Sequence, residues 1–281
     1  MRGRDTACSR FLCISLIAVG LLGPLAVEGQ TAARRIPSQY VCPLSGNSNE
    51  KEAREANNQY LDSATKKFVE SKDLSAIHLT YEEKRAPVLI NTAKLIDLAI
   101  GMRELHRQSQ AGNFGIAYDK NQQTIERLAA LNWKDSPDIQ FLQPSLRQVA
   151  MARLVDIASV YQEACSSTRM GAFADACKEN QQEIVAVAKK DWTTEKASDD
   201  ELKAMARVEV AHDIDLAILL KGAARRPNSP AFLDAYSTYQ KEVGQIAQKD
   251  WKKDQLQVGE LLGLCKVLDT YLPSETPRTK K

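Results

Sequence analysis

Histidine, glycine and aromatic residues are scarce in this chain of 281 residues. It has only three histidines and 13 glycines, and Phe, Trp and Tyr together make up 6% of the sequence. With so few histidines, a zinc site or a histidine-based catalytic triad is a poor expectation. The sequence also lacks a GxSxG motif, a P-loop and a dinucleotide-binding glycine pattern. We therefore expect a protein that is not an enzyme and that has no cofactor and no metal.

The chain also lacks an excess of charge of either sign. Its formal net charge is +2, and removal of the N-terminal segment 1–29, which carries three basic and two acidic side chains, leaves the charges nearly balanced. Such a balance gives no electrostatic reason to expect binding to nucleic acid or to an anionic membrane. No Asn-X-Ser/Thr glycosylation site occurs, which favours a bacterial periplasm over a eukaryotic secretory route.

The N-terminus has the order of regions found in a secretory signal peptide. Basic residues at Arg2, Arg4 and Arg10 precede an uncharged, mostly apolar run over residues 11–27, and the small-residue site Val27-Glu28-Gly29 follows. This apolar run is short for a membrane span. We predict a signal peptide over residues 1–29 and a secreted or periplasmic protein without a membrane span after cleavage. The alternative is an uncleaved anchor.

Most of the remaining chain repeats with a 59-residue period. Eight positions are identical in three successive units, without a gap, which indicates a tandem array of one duplicated unit. These columns are Ala93, Ala152, Ala211; Asp97, Asp156, Asp215; Ala99, Ala158, Ala217; Phe114, Phe173, Phe232; Ala117, Ala176, Ala235; Gln122, Gln181, Gln240; Ala129, Ala188, Ala247; and Trp133, Trp192, Trp251. The tetratricopeptide, ankyrin and HEAT signatures are absent.

The pattern of each unit predicts two long helices joined by a short turn. Capping boxes at Thr80–Glu83 and Ser198–Glu201 begin first helices, Pro144 begins or kinks the middle one, and apolar stripes mark second helices. The second helices start near Asn113, Ala172 and Ala231. Turns as short as residues 167–171 and 225–230 force the two helices to be antiparallel.

The predicted fold is therefore all-α, a tandem array of long antiparallel helix hairpins. We expect eight main helices, from Asn49–Leu74 to Asp254–Leu272, in either a short α-solenoid or a compact stacked bundle. Residues 30–48 form an extended N-terminal segment, residues 49–272 the helical-repeat domain and residues 273–281 a basic flexible tail. The pattern does not choose the handedness.

Four cysteines follow the predicted signal peptide, an even number that suggests disulfides in an exported protein. Cys165 and Cys177 lie at equal distances on either side of the turn at Gly171, so antiparallel packing places them opposite each other. Cys42 and Cys265 then form the remaining pair, which requires the two ends of the array to meet.

The aspartate column offers the most plausible functional residues. Asp97, Asp156 and Asp215 lie mid-helix among apolar residues, where a carboxylate needs a hydrogen-bonding partner. One hypothesis pairs them with Gln122, Gln181 and Gln240 on the facing helix, which would fix the register of the two helices. The other makes them a row of carboxylates that binds a cation or a small cationic ligand. For the tryptophan column we expect packing at the junction of two units, with an aromatic ligand platform as the alternative.

Glu209 and His212 have the Glu-x-x-His spacing used in di-iron helical bundles. Such a centre needs a second pair of this kind and two further glutamates. His78 and His106 have no matching glutamate, so we expect no metal here.

These features favour an exported, non-enzymatic helical-repeat protein that binds another macromolecule, most readily a protein, or acts as a scaffold. The argument is an analogy with folds of this kind. The alternative is a periplasmic carrier of a small ligand or cation that uses the aspartate column, and a third possibility is a hydrolase with an unrecognised site. The partner, the ligand and the oligomeric state stay open.

Overall fold

The computed structural model describes residues 48–70, 77–135, 139, 142–225, 227 and 229–271. Every regular element in these residues is an α-helix, so the predicted all-α class is confirmed. No helix in the described ranges has the length and apolar character needed to span a bilayer. The helices are α1 (Asn49–Glu70), α2 (Tyr81–Gln108), α3 (Gly112–Ala129), α4 (Gln143–Ser167), α5 (Ala172–Glu179), α6 (Gln181–Ala188), α7 (Asp199–Ala223), α8 (Pro230–Ile246) and α9 (Val258–Tyr271).

Several predicted features lie outside the described residues. They are the signal peptide at residues 1–29, the extended segment apart from Ser48, the tail over residues 273–281, and Cys42. The predicted extension of the first helix from Glu70 to Leu74 also lies outside them. The 59-residue period itself stays a prediction of the sequence.

The structure describes nine helices where eight were expected, because the second helix of the middle hairpin breaks at Asn180. The backbone of Asn180 leaves the helical region (φ −116°, ψ 21°), and its side-chain amide donates to the carbonyl of Ala176 at 2.7 Å. Tyr239, one repeat period later, has nearly the same dihedrals (φ −112°, ψ 19°) inside α8. Asn121, one repeat period earlier, makes the same bond to the carbonyl of Ala117 at 2.9 Å inside the unbroken helix α3, so the side-chain bond alone does not cause the break.

Helices that follow each other in the chain pack against each other throughout the described residues. In the hairpins, α2 pairs with α3, α4 with α5 and α6, and α7 with α8, while α1 and α9 pack on α2 and α8. Successive hairpins meet where α3 packs on α4, and where α5 and α6 pack on α7. This arrangement is consistent with both a solenoid and a bundle. The first helices of the units form the interior, and α4 and α7 are buried around most of their circumference.

Most helix starts agree with the sequence. The capping boxes at Thr80 and Ser198 are both present, and Pro144 lies in the first turn of α4. The last helix starts at Val258 rather than at Asp254, which corrects the prediction. The side chain of Asp254 accepts the backbone amide of Asp250 at 2.7 Å, so the residues after Trp251 form a turn before α9 begins.

A lysine–glutamate ion pair joins three of the corners between one hairpin and the next. The glutamate is the one in the third position of the following helix, and the lysine lies in the last turn of the preceding helix or two to three residues after it. The pairs are Lys67–Glu83 at 2.7 Å, Lys190–Glu201 at 3.1 Å and Lys249–Glu260 at 3.2 Å. At the fourth corner, the positions one repeat period before Lys190 and Glu201 are Leu131 and Leu142, both partly buried against the core. The two polar partners are therefore replaced together by two apolar ones.

The tryptophans pack at the ends of the second helices, as the packing interpretation expected. Trp133 and Trp251 are buried, and Trp192 is half-buried between the two halves of the hydrophobic core. The indole nitrogen of Trp192 donates to the side chain of Asn113 at 3.2 Å. All three rings therefore have structural roles.

The predicted disulfide between Cys165 and Cys177 is present and closes the turn of the middle hairpin, with a Cα–Cα distance of 5.6 Å. Cys265 is buried in α9, and its expected partner Cys42 lies outside the described residues.

We expect unreduced tryptic digests to contain a peptide that links Cys165 to Cys177. Replacing both cysteines with alanine should lower the free energy of unfolding by about 3 kcal/mol, because the bridge restricts the unfolded chain. Circular dichroism should show unchanged helicity, since the apolar faces of α4, α5 and α6 remain. Free thiols at both positions in the native protein would contradict the bridge.

Candidate functional site: aspartate joints and a buried ionisable cluster

Each aspartate of the repeated column caps the N-terminus of a helix from the preceding hairpin. Asp156 on α4 accepts the backbone amides of Asn113 at 3.1 Å and of Phe114 at 2.8 Å, through different carboxylate oxygens. The side-chain amide of Asn113 adds a third bond at 2.9 Å. A carboxylate in this position satisfies amides that have no partner within the helix, and it interacts favourably with the helix dipole. We call this contact an aspartate joint.

The other two aspartates of the column, one before and one after Asp156 in the chain, form the same joint. Asp97 accepts the backbone amides of Asn49 and Glu50 at 3.0 and 2.8 Å. Asp215 accepts those of Ala172 and Phe173 at 3.0 and 2.9 Å. The three carboxylates, which are all half-buried, therefore attach α2 to α1, α4 to α3 and α7 to α5.

Glycine permits the close approach at two of the joints. Gly112 and Gly171 have positive φ angles of 75° and 104°, which side chains other than glycine rarely adopt. A Cβ atom on Gly112 would lie 2.7 Å from Oδ2 of Asp156, and a Cβ on Gly171 would lie still closer to Asp215. Both the backbone conformation and the lack of a side chain are therefore required.

The expected bond between the aspartate and glutamine columns is wrong. Gln122, Gln181 and Gln240 are all exposed, and the aspartates bond to backbone amides instead. Gln240 lines a shallow, open depression along α8 with Ser237, Lys241 and Gln248.

A second group of polar residues lies inside the core, where α4 meets α7. Arg153 and Tyr161 come from α4, while Glu209, His212 and Asp213 come from α7. All five side chains are buried, and Asp213 has no exposed surface at all. The imidazole of His212 packs edge-on against Phe173, with ring centroids 5.5 Å apart, and its Nδ1 lies 3.6 Å from Oδ1 of Asp213. We call this group the buried ionisable cluster.

Burial dominates the electrostatics of the cluster. The pKa of Glu209 is raised well above its usual value, because burial disfavours the carboxylate and the charge of Asp213 repels it; Arg153 opposes this only in part. Burial likewise lowers the pKa of Arg153 to about 10 and raises that of Tyr161 well above its usual value. Within the described residues, Arg153 Nε, Tyr161 Oη, Glu209 Oε1 and both His212 nitrogens have no hydrogen-bond partner.

The charges of the cluster balance when it holds one extra proton. Arg153 brings one positive charge, and the carboxyl groups of Glu209 and Asp213 bring two negative charges when both are ionised. A single proton on Glu209 restores neutrality, and a net charge in a dry core is costly. Burial and charge balance therefore both favour the protonated form of Glu209.

The cluster has no metal-binding geometry. In the ranges that the structure describes, no three His, Cys, Asp or Glu side chains are grouped so that they could hold a metal ion. The charge of the Arg153 guanidinium also acts on Glu209. That cation would repel a bound metal.

Asp156→Ala should lower the free energy of unfolding by about 2 kcal/mol, because three donors at the start of α3 lose their acceptor. We expect Asp156→Asn to cost nearly as much, since one carboxamide oxygen cannot replace both carboxylate oxygens and its NH2 group would face an N–H donor. Gln122→Ala, which removes the partner expected from sequence, should change the free energy by less than about 0.5 kcal/mol. Urea unfolding of the three variants tests this. A destabilising Gln122→Ala with a harmless Asp156→Asn would restore the Asp–Gln hypothesis.

The raised pKa of Glu209 predicts a pH-dependent stability of defined sign. The native state holds a proton that the unfolded chain releases above about pH 4.3. The stabilising contribution is therefore complete below that pH and is lost as the pH rises through the native pKa. Urea unfolding between pH 5 and 9 should show a falling stability in the wild type and a flatter profile in Glu209→Gln. Glu82→Gln, at an exposed position on α2, should retain the wild-type slope.

Sequence reasoning found the aspartates and named Glu209 and His212, but it missed Arg153, Tyr161 and Asp213. The available signal was their failure to repeat: one repeat period before Tyr161, Glu209 and Asp213, the chain has Met102, Ala150 and Leu154. Polar residues that occur in only one unit of an array stand out against its apolar columns.

No protein-family model, curated protein or solved structure matches this chain.

Proposed function

We propose that this chain is an exported, non-enzymatic helical protein that binds another protein through its outer surface. The disulfide between Cys165 and Cys177 supports export, because such bonds persist mainly in oxidising compartments. The predicted signal peptide supports it independently.

The observation that carries the proposal is a pair of exposed apolar side chains at one aspartate joint. Met170 is 85% exposed and directly precedes Gly171, while Ile218 is 51% exposed and lies one turn after Asp215. The contact between Asp215 and Gly171 brings the two segments together. Single exposed apolar residues are ordinary, but adjacent ones favour an interaction surface.

The small-ligand carrier has weaker support. Its binding groups were to be the carboxylates of Asp97, Asp156 and Asp215. At each joint, the two carboxylate oxygens already accept backbone amides, and they are half-buried against a helix end. A cation would have to compete with those donors for the same carboxylate.

Site-specific photo-crosslinking tests the proposal. A benzoylphenylalanine at position 170 should yield protein adducts in the native exported fraction. The same residue at position 111 provides the matched control, because Ala111 is exposed and directly precedes Gly112 of the preceding joint. We expect adducts at position 170 and few at position 111. Equal labelling at both positions, or no adduct together with a small molecule retained in native mass spectrometry, would overturn the proposal.

A further inference from the structure

We propose that Arg169, Met170, Ile218, Lys221 and Arg225 form a docking surface for an acidic amphipathic segment of another protein. This inference rests on the proposed function and names the chemistry of the partner. We call these five residues the joint patch.

The geometry of the joint makes the patch continuous. Ile218 and Lys221 are three residues apart in the last turns of α7, so they share one helical face, and Arg225 lies in the turn two residues after the helix ends. Arg169 and Met170 directly precede Gly171, which contacts Asp215 one turn before Ile218. All five side chains are exposed.

The three cations of the patch are available to a partner. Within the part of the chain that the structure describes, Arg169, Lys221 and Arg225 make no salt bridge, although ion pairs are common elsewhere on the surface. Two exposed apolar side chains in the same segments as three such cations match a partner segment that presents apolar residues beside Asp or Glu.

The preceding joint provides an internal comparison. It has the same capping bonds and the same positive-φ glycine, yet the equivalent surface is small and uncharged. The five positions one repeat period earlier are Gln110, Ala111, Ser159, Gln162 and Ser166, which are all exposed. The joint therefore does not require the chemistry of the patch, and a docking role accounts for it.

A protein segment fits this patch better than a lipid surface does. Adsorption to anionic membranes typically uses clusters of four to eight basic residues, whereas the patch has three. The nearly balanced charge of the whole chain adds no long-range attraction to a membrane. The small extent of the patch suits a short segment bound weakly or transiently.

Fluorescence anisotropy with a labelled amphipathic helical peptide of Glu, Ala and Leu tests the inference. The wild-type protein should bind this peptide, and binding should weaken at higher salt. Two double variants, Met170→Ser with Ile218→Ser and Arg169→Glu with Lys221→Glu, should each weaken it about tenfold. Gln110→Glu with Gln162→Glu adds two negative charges at the equivalent positions and should change affinity less than about twofold. Thermal unfolding should be unchanged in all variants, since every substituted side chain is exposed.

Three results would overturn the inference: equal binding of a peptide with Lys in place of Glu, equal losses in the control variant, or no binding at low salt. Patch-dependent binding to phosphatidylglycerol vesicles without binding to the peptide would assign the surface to a membrane instead. If position 170 still crosslinks to a protein while the acidic peptide does not bind, the proposed function survives and the partner chemistry is wrong. If crosslinking at position 170 fails while the acidic peptide binds, the partner chemistry survives and the proposed function is wrong.

Discussion

The packing of this protein depends on carboxylates that cap helices belonging to another hairpin. Most helix caps come from residues next to the helix they cap. They stabilise that helix without fixing its position relative to other helices. Here Asp97, Asp156 and Asp215 lie mid-helix, so each bond also fixes where one helix begins along the length of another. Since α4 continues about eleven residues beyond Asp156, it rises about 16 Å past the start of α3. Successive hairpins are therefore staggered.

Much of the helical pattern could be predicted because it depends on local signals. Capping boxes, Pro144 and the glycine turn at Gly171 each act within a few residues, and the helix starts they predict are present. The partner of the aspartates could not be predicted, because it is a backbone amide and every residue but proline has one. The break at Asn180 could not be predicted either, since Asn121 makes the same side-chain bond within an unbroken helix.

Residues that recur in each unit and residues that occur only once have different roles in this molecule. The alanine, phenylalanine, aspartate and tryptophan columns lie in the core or at the joints, where each unit needs the same contact. The cluster around Glu209, the bridge at Cys165 and the surface around Met170 occur in one place only. They all lie near the contact between the middle hairpin and α7. The residues that set the units apart are therefore gathered at one place in the fold.

The aspartate joints also determine how the chain can fold. Each one connects residues only 42 to 48 positions apart, and the helices pack mainly on their neighbours in the sequence. Contacts of such modest separation favour rapid folding. During synthesis from the N-terminus, the joint at Asp156 can close as soon as α4 has formed, before α7 exists. The growing chain can thus bury the apolar face of each hairpin against the preceding one before the next is made.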